Sequence, residues 1–233
     1  IALSLVGSEM CIRDRTKAVN KQLLPLYDKP LIFYPLSALM LAGIRDILII
    51  VNKGQLNQFR KILPENNNLG IKIQYKEQQN PNGLPEAFII GEKFIGKNSV
   101  ALILGDNFFY GQSLTKILKK NINQKKGAKI FLHPVKNPSS YGVATINKKK
   151  QVLKLVEKPK KTKSNLAVTG LYFFDNNVVK LSKKLKPSSR GEIEIIDLLN
   201  IYKKKKLLKA DFIGRGGSWS VSYTHLRAHE TKR

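Results

Sequence analysis

The most constraining feature is a repeated alternation of short, wholly apolar runs with amphipathic segments of helical length. Asp46 opens an unbroken apolar run through Val51, and residues 100–104 form another; both are of strand length, too short to span a membrane as a helix. A strand that is apolar on both faces must be covered on both faces, which is the situation of a parallel strand in an α/β sheet. Around and between such runs lie segments of helical length: 31–43, dense in helix formers and ending on Gly43, then the amphipathic 55–63, 84–95 and 113–123. Residues 71–75 and 128–133 read as further strands. The second half differs: 142–146, 152–156 and 168–174 are strands with short connections, followed by helices over 177–185 and 192–202 and a late strand over 207–213. The expected class is α/β: a mixed, mostly parallel sheet flanked by helices, in a single domain.

Composition narrows the functional classes. The chain has 233 residues, one cysteine and three histidines, which excludes an internal disulfide framework and argues against a cysteine-rich or zinc centre. The expectation is a reducing, cytoplasmic setting without a membrane span. Lys and Arg total 42 against 16 Asp and Glu, a formal charge of +26. Such an excess is one mark of a nucleic-acid binder. Here the basic clusters, Lys148–Lys150, Lys160-Lys161 and Lys203–Lys206, lack interleaved aromatics. The excess is therefore read as compositional drift of an AT-rich gene, with a non-enzymatic nucleic-acid-binding protein as the alternative.

The two ends carry a separate signal. Leu5–Asp14 can be back-translated to a DNA segment whose reverse complement encodes Val221–Glu230 residue for residue. One foreign DNA segment joined in opposite orientations explains this. Residues 1–15 and 221–233 are then expected to stand outside the fold, with the native domain at 16–220 and Cys11, His225 and His229 without function.

Several segments have the residue types of a phosphate and sugar chemistry. Asp106 follows the 100–104 strand, at the edge where α/β proteins bind ligands, and a carboxylate there suits Mg²⁺ beside phosphate. A plain turn aspartate explains the same residue. Lys21 and Gln22 precede a helix and could meet a phosphate and a base edge, or solvent alone. Gln78 opens a loop through Pro81, Gly83 and Leu84, where glycine permits close backbone approach. Tyr141-Gly142 and Glu157-Lys158-Pro159 flank the central hairpin; the carboxylate and ammonium could clamp a sugar and its phosphate, or form a surface ion pair.

Taken in order, Lys21–Pro25, Asp28–Pro30, Tyr34–Leu36, Leu41–Arg45, Ala87–Gly91, Leu104–Asn107, Phe109–Gly111, Tyr141–Val143, Glu157–Pro159, Val168–Phe173 and Arg190–Ile195 resemble the sugar nucleotidyltransferase family. The likeness is to the branch that transfers a thymidylyl group from dTTP to glucose 1-phosphate, giving dTDP-glucose and pyrophosphate. The alternative within the family is a UTP- or CTP-dependent enzyme. The resemblance implies a Rossmann-like fold, Mg²⁺ as cofactor, and a homo-oligomeric, commonly tetrameric parent. It implies that Lys21, Lys158 and Arg190 bind phosphate groups and that Asp106 holds the metal. Gln22, Gln78, Pro81, Gly83 and Leu84 would form the nucleotide site. Tyr141, Gly142, Glu157, Val168 and Tyr172 would line the sugar pocket. Of the family's Gly-rich first loop only Thr16-Lys17 remains, and neither the first strand nor the C-terminal helices are expected. The chain as written is expected to be a weak or inactive form of a working parent enzyme.

Overall fold

The computed structural model describes residues 1–6, 20–122, 125–213 and 217–221. Thr16, Lys17, Cys11 and the histidines of the C-terminal tail lie outside the described residues. The chain forms two compact units, one from residues 1–81, 103–119 and 214–233, the other from 82–102 and 120–213. Among the described residues no helix is long and apolar enough to cross a membrane.

The first unit is built on strand Asp46–Asn52, whose residues from Ile47 to Val51 are fully buried. It pairs in parallel with Lys72–Gln78 along its whole length, Asp46 opposite Lys72 and Asn52 opposite Gln78. That full pairing carries the second strand three residues past the alternating segment at 71–75. On its other side Asp46–Asn52 pairs in parallel with Ala2–Val6. The expectation that residues 1–15 add no strand is therefore corrected at Ala2–Val6, and the first strand is present. The reason is backbone demand: the buried edge of Asp46–Asn52 needs a partner ladder, and a short run of small and apolar residues can supply it. Ser4 marks the compromise. It is 2% exposed, and its hydroxyl has no hydrogen-bond partner among the described residues. At the other end, Ser218–Val221 pairs antiparallel with Asn107–Tyr110, so Val221 also belongs to the fold. That ribbon and the small Pro25–Leu26/Lys29–Pro30 hairpin have no counterpart in the periodicity reading.

Helix Phe33–Leu41 ends as expected at Gly43, whose φ is +87° and whose N–H reaches back to the Met40 carbonyl. Leu56–Ile62 is the second helix of this unit.

In the second unit parallel and antiparallel pairings are mixed. Ala128–Pro134 pairs in parallel with Leu208–Phe212 and antiparallel with Leu166–Phe174. The latter also pairs antiparallel with Val143–Ile146, and that strand with Val152–Val156. Asn177–Ser182 and Ile195–Lys204 are its longer helices. The helix expected over 84–95 is broken into Glu86–Ile90 and Glu92–Ile95, with Gly91 at the junction out of helical geometry (ψ 1°). Phe88, Phe131, Phe174 and Tyr202 are each at most 1% exposed and form much of this unit's core. The α/β class, with a mixed sheet and flanking helices, is as the sequence indicates.

Candidate functional site

In the first unit the site is assembled from a single turn outward. Asn20 precedes a 3-10 turn, Lys21–Leu23, and its side-chain oxygen accepts from the Gln22 N–H at 2.9 Å. Its amide nitrogen donates to Gln55 Oε1 at 2.6 Å, and the Gln55 N–H in turn donates to the Asn52 carbonyl. This ties the turn to the carboxyl ends of the parallel strands, where Gln78 lies opposite Asn52. Carboxyl edges of open α/β sheets are where such folds take ligands.

Lys21 reaches from this turn to Asp106, with Nζ 2.7 Å from Oδ2. Both side chains are about 15% exposed (16% and 15%), so water screens the pair only partly. Asp106 stands two residues beyond strand Val100–Leu104. Its other oxygen, Oδ1, accepts from Asn107 Nδ2 at 2.8 Å, and Asn107 Oδ1 accepts from Trp219 Nε1 at 2.6 Å. Gln22 and Gln78 are 1% and 3% exposed. The Gln22 side-chain oxygen has no hydrogen-bond partner among the described residues. An unmet buried amide oxygen is expensive unless a donor arrives. Pro81 is exposed, three residues past Gln78.

The second unit carries the other expected residues. Gly83 has φ +110°, and a Cβ there would stand 2.2 Å from the Ile193 carbonyl oxygen, so only glycine fits. Its neighbour Asn82 accepts from the Ile193 N–H at 2.8 Å, binding this loop to the segment that carries Arg190. Leu84 is partly buried beside it. Gly142 sits against Glu157: a Cβ there would meet Ile196 Cδ1 at 2.7 Å and Glu157 Oε2 at 3.2 Å. Lys158 donates its N–H to the Tyr141 carbonyl, and Val168 donates to the Gly142 carbonyl. The expected Tyr141, Gly142, Glu157, Lys158 and Val168 are thus brought together by backbone pairing.

Arg190 lies among three carboxylates, with Glu194 at 3.5 Å, Glu157 at 3.8 Å and Glu192 at 4.0 Å. None of these is a tight bidentate pair, and the Arg190 side chain is 40% exposed. Lys158 holds a φ of +38°, rare for a residue with a Cβ. Tyr172 is 3% exposed and stacks on Phe174 at 6.1 Å. The ladder between Leu166–Phe174 and Ala128–Pro134 shifts between Val168 and Tyr172, so strand alternation does not connect these two sugar-pocket candidates.

Asn107 and Trp219 were not singled out by sequence reasoning. Asn107 stands inside the quoted Leu104–Asn107 motif, but nothing in the sequence indicates a tryptophan 112 positions away as its partner.

A single carboxylate contacted by an ammonium, among mostly buried amides, offers both charged and hydrogen-bonding groups to a polar ligand. Comparison with known proteins gives that chemistry a family. The nucleotidyl transferase pattern matches residues 11–220, and the chain belongs to that family. The glucose-1-phosphate thymidylyltransferase of Neisseria meningitidis serogroup A is 50% identical over 224 residues, which is 96% of this chain and 78% of that one. A Bacillus anthracis protein crystallised with sucrose under the same enzyme name superposes with a TM-score of 0.87 at 34% identity, covering 98% of this chain and 92% of the other. A UDP-glucose pyrophosphorylase bound to UDP-glucose shares the fold, with a TM-score of 0.81 at 24% identity over 100% and 98% of the two chains.

Proposed function

We propose that this chain is built to transfer a thymidylyl group from dTTP to glucose 1-phosphate. The observation that carries the reading is the part-buried Lys21–Asp106 pair beside the unmet amide of Gln22. The likeness to thymidylyltransferases supplies the substrates. In the reaction, a phosphate oxygen of glucose 1-phosphate attacks the α-phosphorus of dTTP in line with the departing pyrophosphate. One P–O bond forms and one breaks. The nucleophile is already anionic near pH 7, so no general base is needed. Catalysis then reduces to bringing two anions together and spreading their charge.

Lys21 does this at the nucleotide phosphates, and Gln22 and Gln78 read the pyrimidine through paired donor and acceptor groups. Pro81, Gly83 and Leu84 shape the base and sugar contacts. Glu157 takes sugar hydroxyls in the pocket formed with Tyr141, Gly142, Val168 and Tyr172. Lys158 and Arg190 take the sugar phosphate. Arg190's three loose carboxylate contacts leave it able to exchange one of them for a phosphate.

Asp106 suits Mg²⁺. Among the described residues there is no cluster of three or more metal-ligating side chains, and Mg²⁺ characteristically takes one or two carboxylates and completes its shell with water and phosphate oxygens. When bound there, the ion would neutralise charge on the triphosphate. A reaction on dTTP and a sugar phosphate belongs in the cytoplasm, where both are made.

The experiment is steady-state kinetics with each substrate varied. Lys158→Ala should raise the glucose 1-phosphate KM and slow turnover, a loss of about 2–4 kcal/mol, with little change at dTTP. Gln78→Ala should do the reverse and weaken discrimination among dTTP, UTP and CTP. If Lys158→Ala leaves both constants for glucose 1-phosphate unchanged, Lys158 is only an edge-strand cation and its assignment falls.

A further inference from the structure

The hydrogen-bond line behind the Lys21–Asp106 pair has a consequence for catalysis. Asp106 accepts only, through Oδ1 from Asn107 Nδ2 at 2.8 Å and through Oδ2 from Lys21 Nζ at 2.7 Å. The indole of Trp219 donates only, to Asn107 Oδ1 at 2.6 Å. Between an acceptor-only carboxylate and a donor-only indole, the Asn107 amide can make both bonds in one orientation. Flipped by 180°, it would set oxygen against carboxylate and N–H against N–H, losing both. The indole therefore selects the amide orientation, and the amide fixes the carboxylate plane. The fixed carboxylate in turn aims the lysine ammonium. Asn107 is 1% exposed and Trp219 8%, so water does not readily replace either bond.

We propose that Trp219 is a positioning residue of the transferase site, acting through Asn107 and Asp106 on the Lys21 ammonium. The catalytic part of this statement rests on the proposed thymidylyl transfer; the relay itself does not. Burial alone would make Trp219 a packing residue, and packing needs no N–H. The relay predicts that the N–H, rather than the ring, is what the site requires.

The chain contains one tryptophan, so a ¹H–¹⁵N correlation spectrum of the full chain shows one indole N–H signal, which reports the far end of the relay. Lys21→Ala and Asp106→Asn should each move that signal, because the Lys21 side chain is linked to the indole through Asp106 and Asn107. Trp219→Phe keeps an aromatic ring and removes the donor. It should lower kcat about tenfold, the size expected for a hydrogen bond in line with a charged group, with the glucose 1-phosphate KM unchanged. In an Asn107→Leu background the same substitution should have no further effect on kcat, because the relay is already cut.

An indole signal that stays in place in both Lys21→Ala and Asp106→Asn overturns the relay. So does an active enzyme in which Trp219→Phe leaves kcat unchanged, or one in which Trp219→Phe and Asn107→Leu act additively. If the unaltered chain makes no dTDP-glucose, the proposed function falls, and the indole shifts still decide the relay.

Discussion

At the scale of single residues, backbone conformation and charge are separable in this molecule. Lys158 holds a left-handed φ of +38°, which costs a residue with a Cβ on the order of 1–3 kcal/mol. Such strain persists where the surrounding structure over-determines the backbone, here through the Lys158 N–H bond to the Tyr141 carbonyl. Lys158→Gly should therefore fold at least as stably as the unaltered chain while losing glucose 1-phosphate use; thermal melts alongside kinetics check both halves. Gly83 is the opposite case. A methyl group there would stand 2.2 Å from the Ile193 carbonyl oxygen at a φ of +110°. Gly83→Ala should lower stability by about 2–4 kcal/mol, seen as a lower urea midpoint. Ser4 has a buried hydroxyl with no hydrogen-bond partner among the described residues. Ser4→Ala should stabilise the chain by about 1 kcal/mol, the usual penalty of an unmet buried hydroxyl. A lower melting temperature for that variant would contradict the placement of Ala2–Val6 in the sheet.

At the scale of elements, one buried carboxylate holds much of the second unit. Asp175, 3% exposed, accepts from the Gly127 N–H at 2.6 Å, the Asn177 N–H at 3.1 Å and the Tyr202 hydroxyl at 2.8 Å. It thereby joins strand Leu166–Phe174 to helices Asn177–Ser182 and Ile195–Lys204. Burial, and then the bond to Asp175, push the Tyr202 hydroxyl well above the usual tyrosine range. The folded chain therefore keeps a proton that the unfolded chain gives up near pH 10. Stability from this residue is complete below about pH 10 and is lost as the pH rises from there. Tyr202→Phe should remove that part of the alkaline loss and should cost about 1–3 kcal/mol at neutral pH by leaving Asp175 short of a donor. Urea titrations at pH 7 and above pH 10 measure both. The regular elements were legible where burial is two-sided: residues 46–51 and 100–104 are strands within a residue of the expected ends. What was not legible depends on pairing across sequence. The Asn107–Tyr110/Ser218–Val221 ribbon and the strand at Ala2–Val6 exist because distant backbones need partners, which no local period records.

At the scale of the molecule, the candidate residues stand out as an ordered series of short motifs rather than through any one of them, and the fold brings some of them together. Lys21 and Asp106, 85 positions apart, meet at 2.7 Å, and Glu157 and Arg190 lie 3.8 Å apart. The relay through Asn107 and Trp219 was not readable, because an amide's orientation is set only by what stands on its two sides. The formal charge of +26 leaves the functional reading intact, since a site for two phosphate-bearing substrates gains from a positive field. The most direct test is product formation by the full chain with Mg²⁺, dTTP and glucose 1-phosphate, following pyrophosphate release and dTDP-glucose together. The account predicts release that requires both substrates, runs faster with dTTP than with UTP or CTP, and falls by at least two orders of magnitude in Asp106→Ala. Pyrophosphate release that needs no sugar phosphate, or dTDP-glucose formation that survives loss of Asp106, would contradict it.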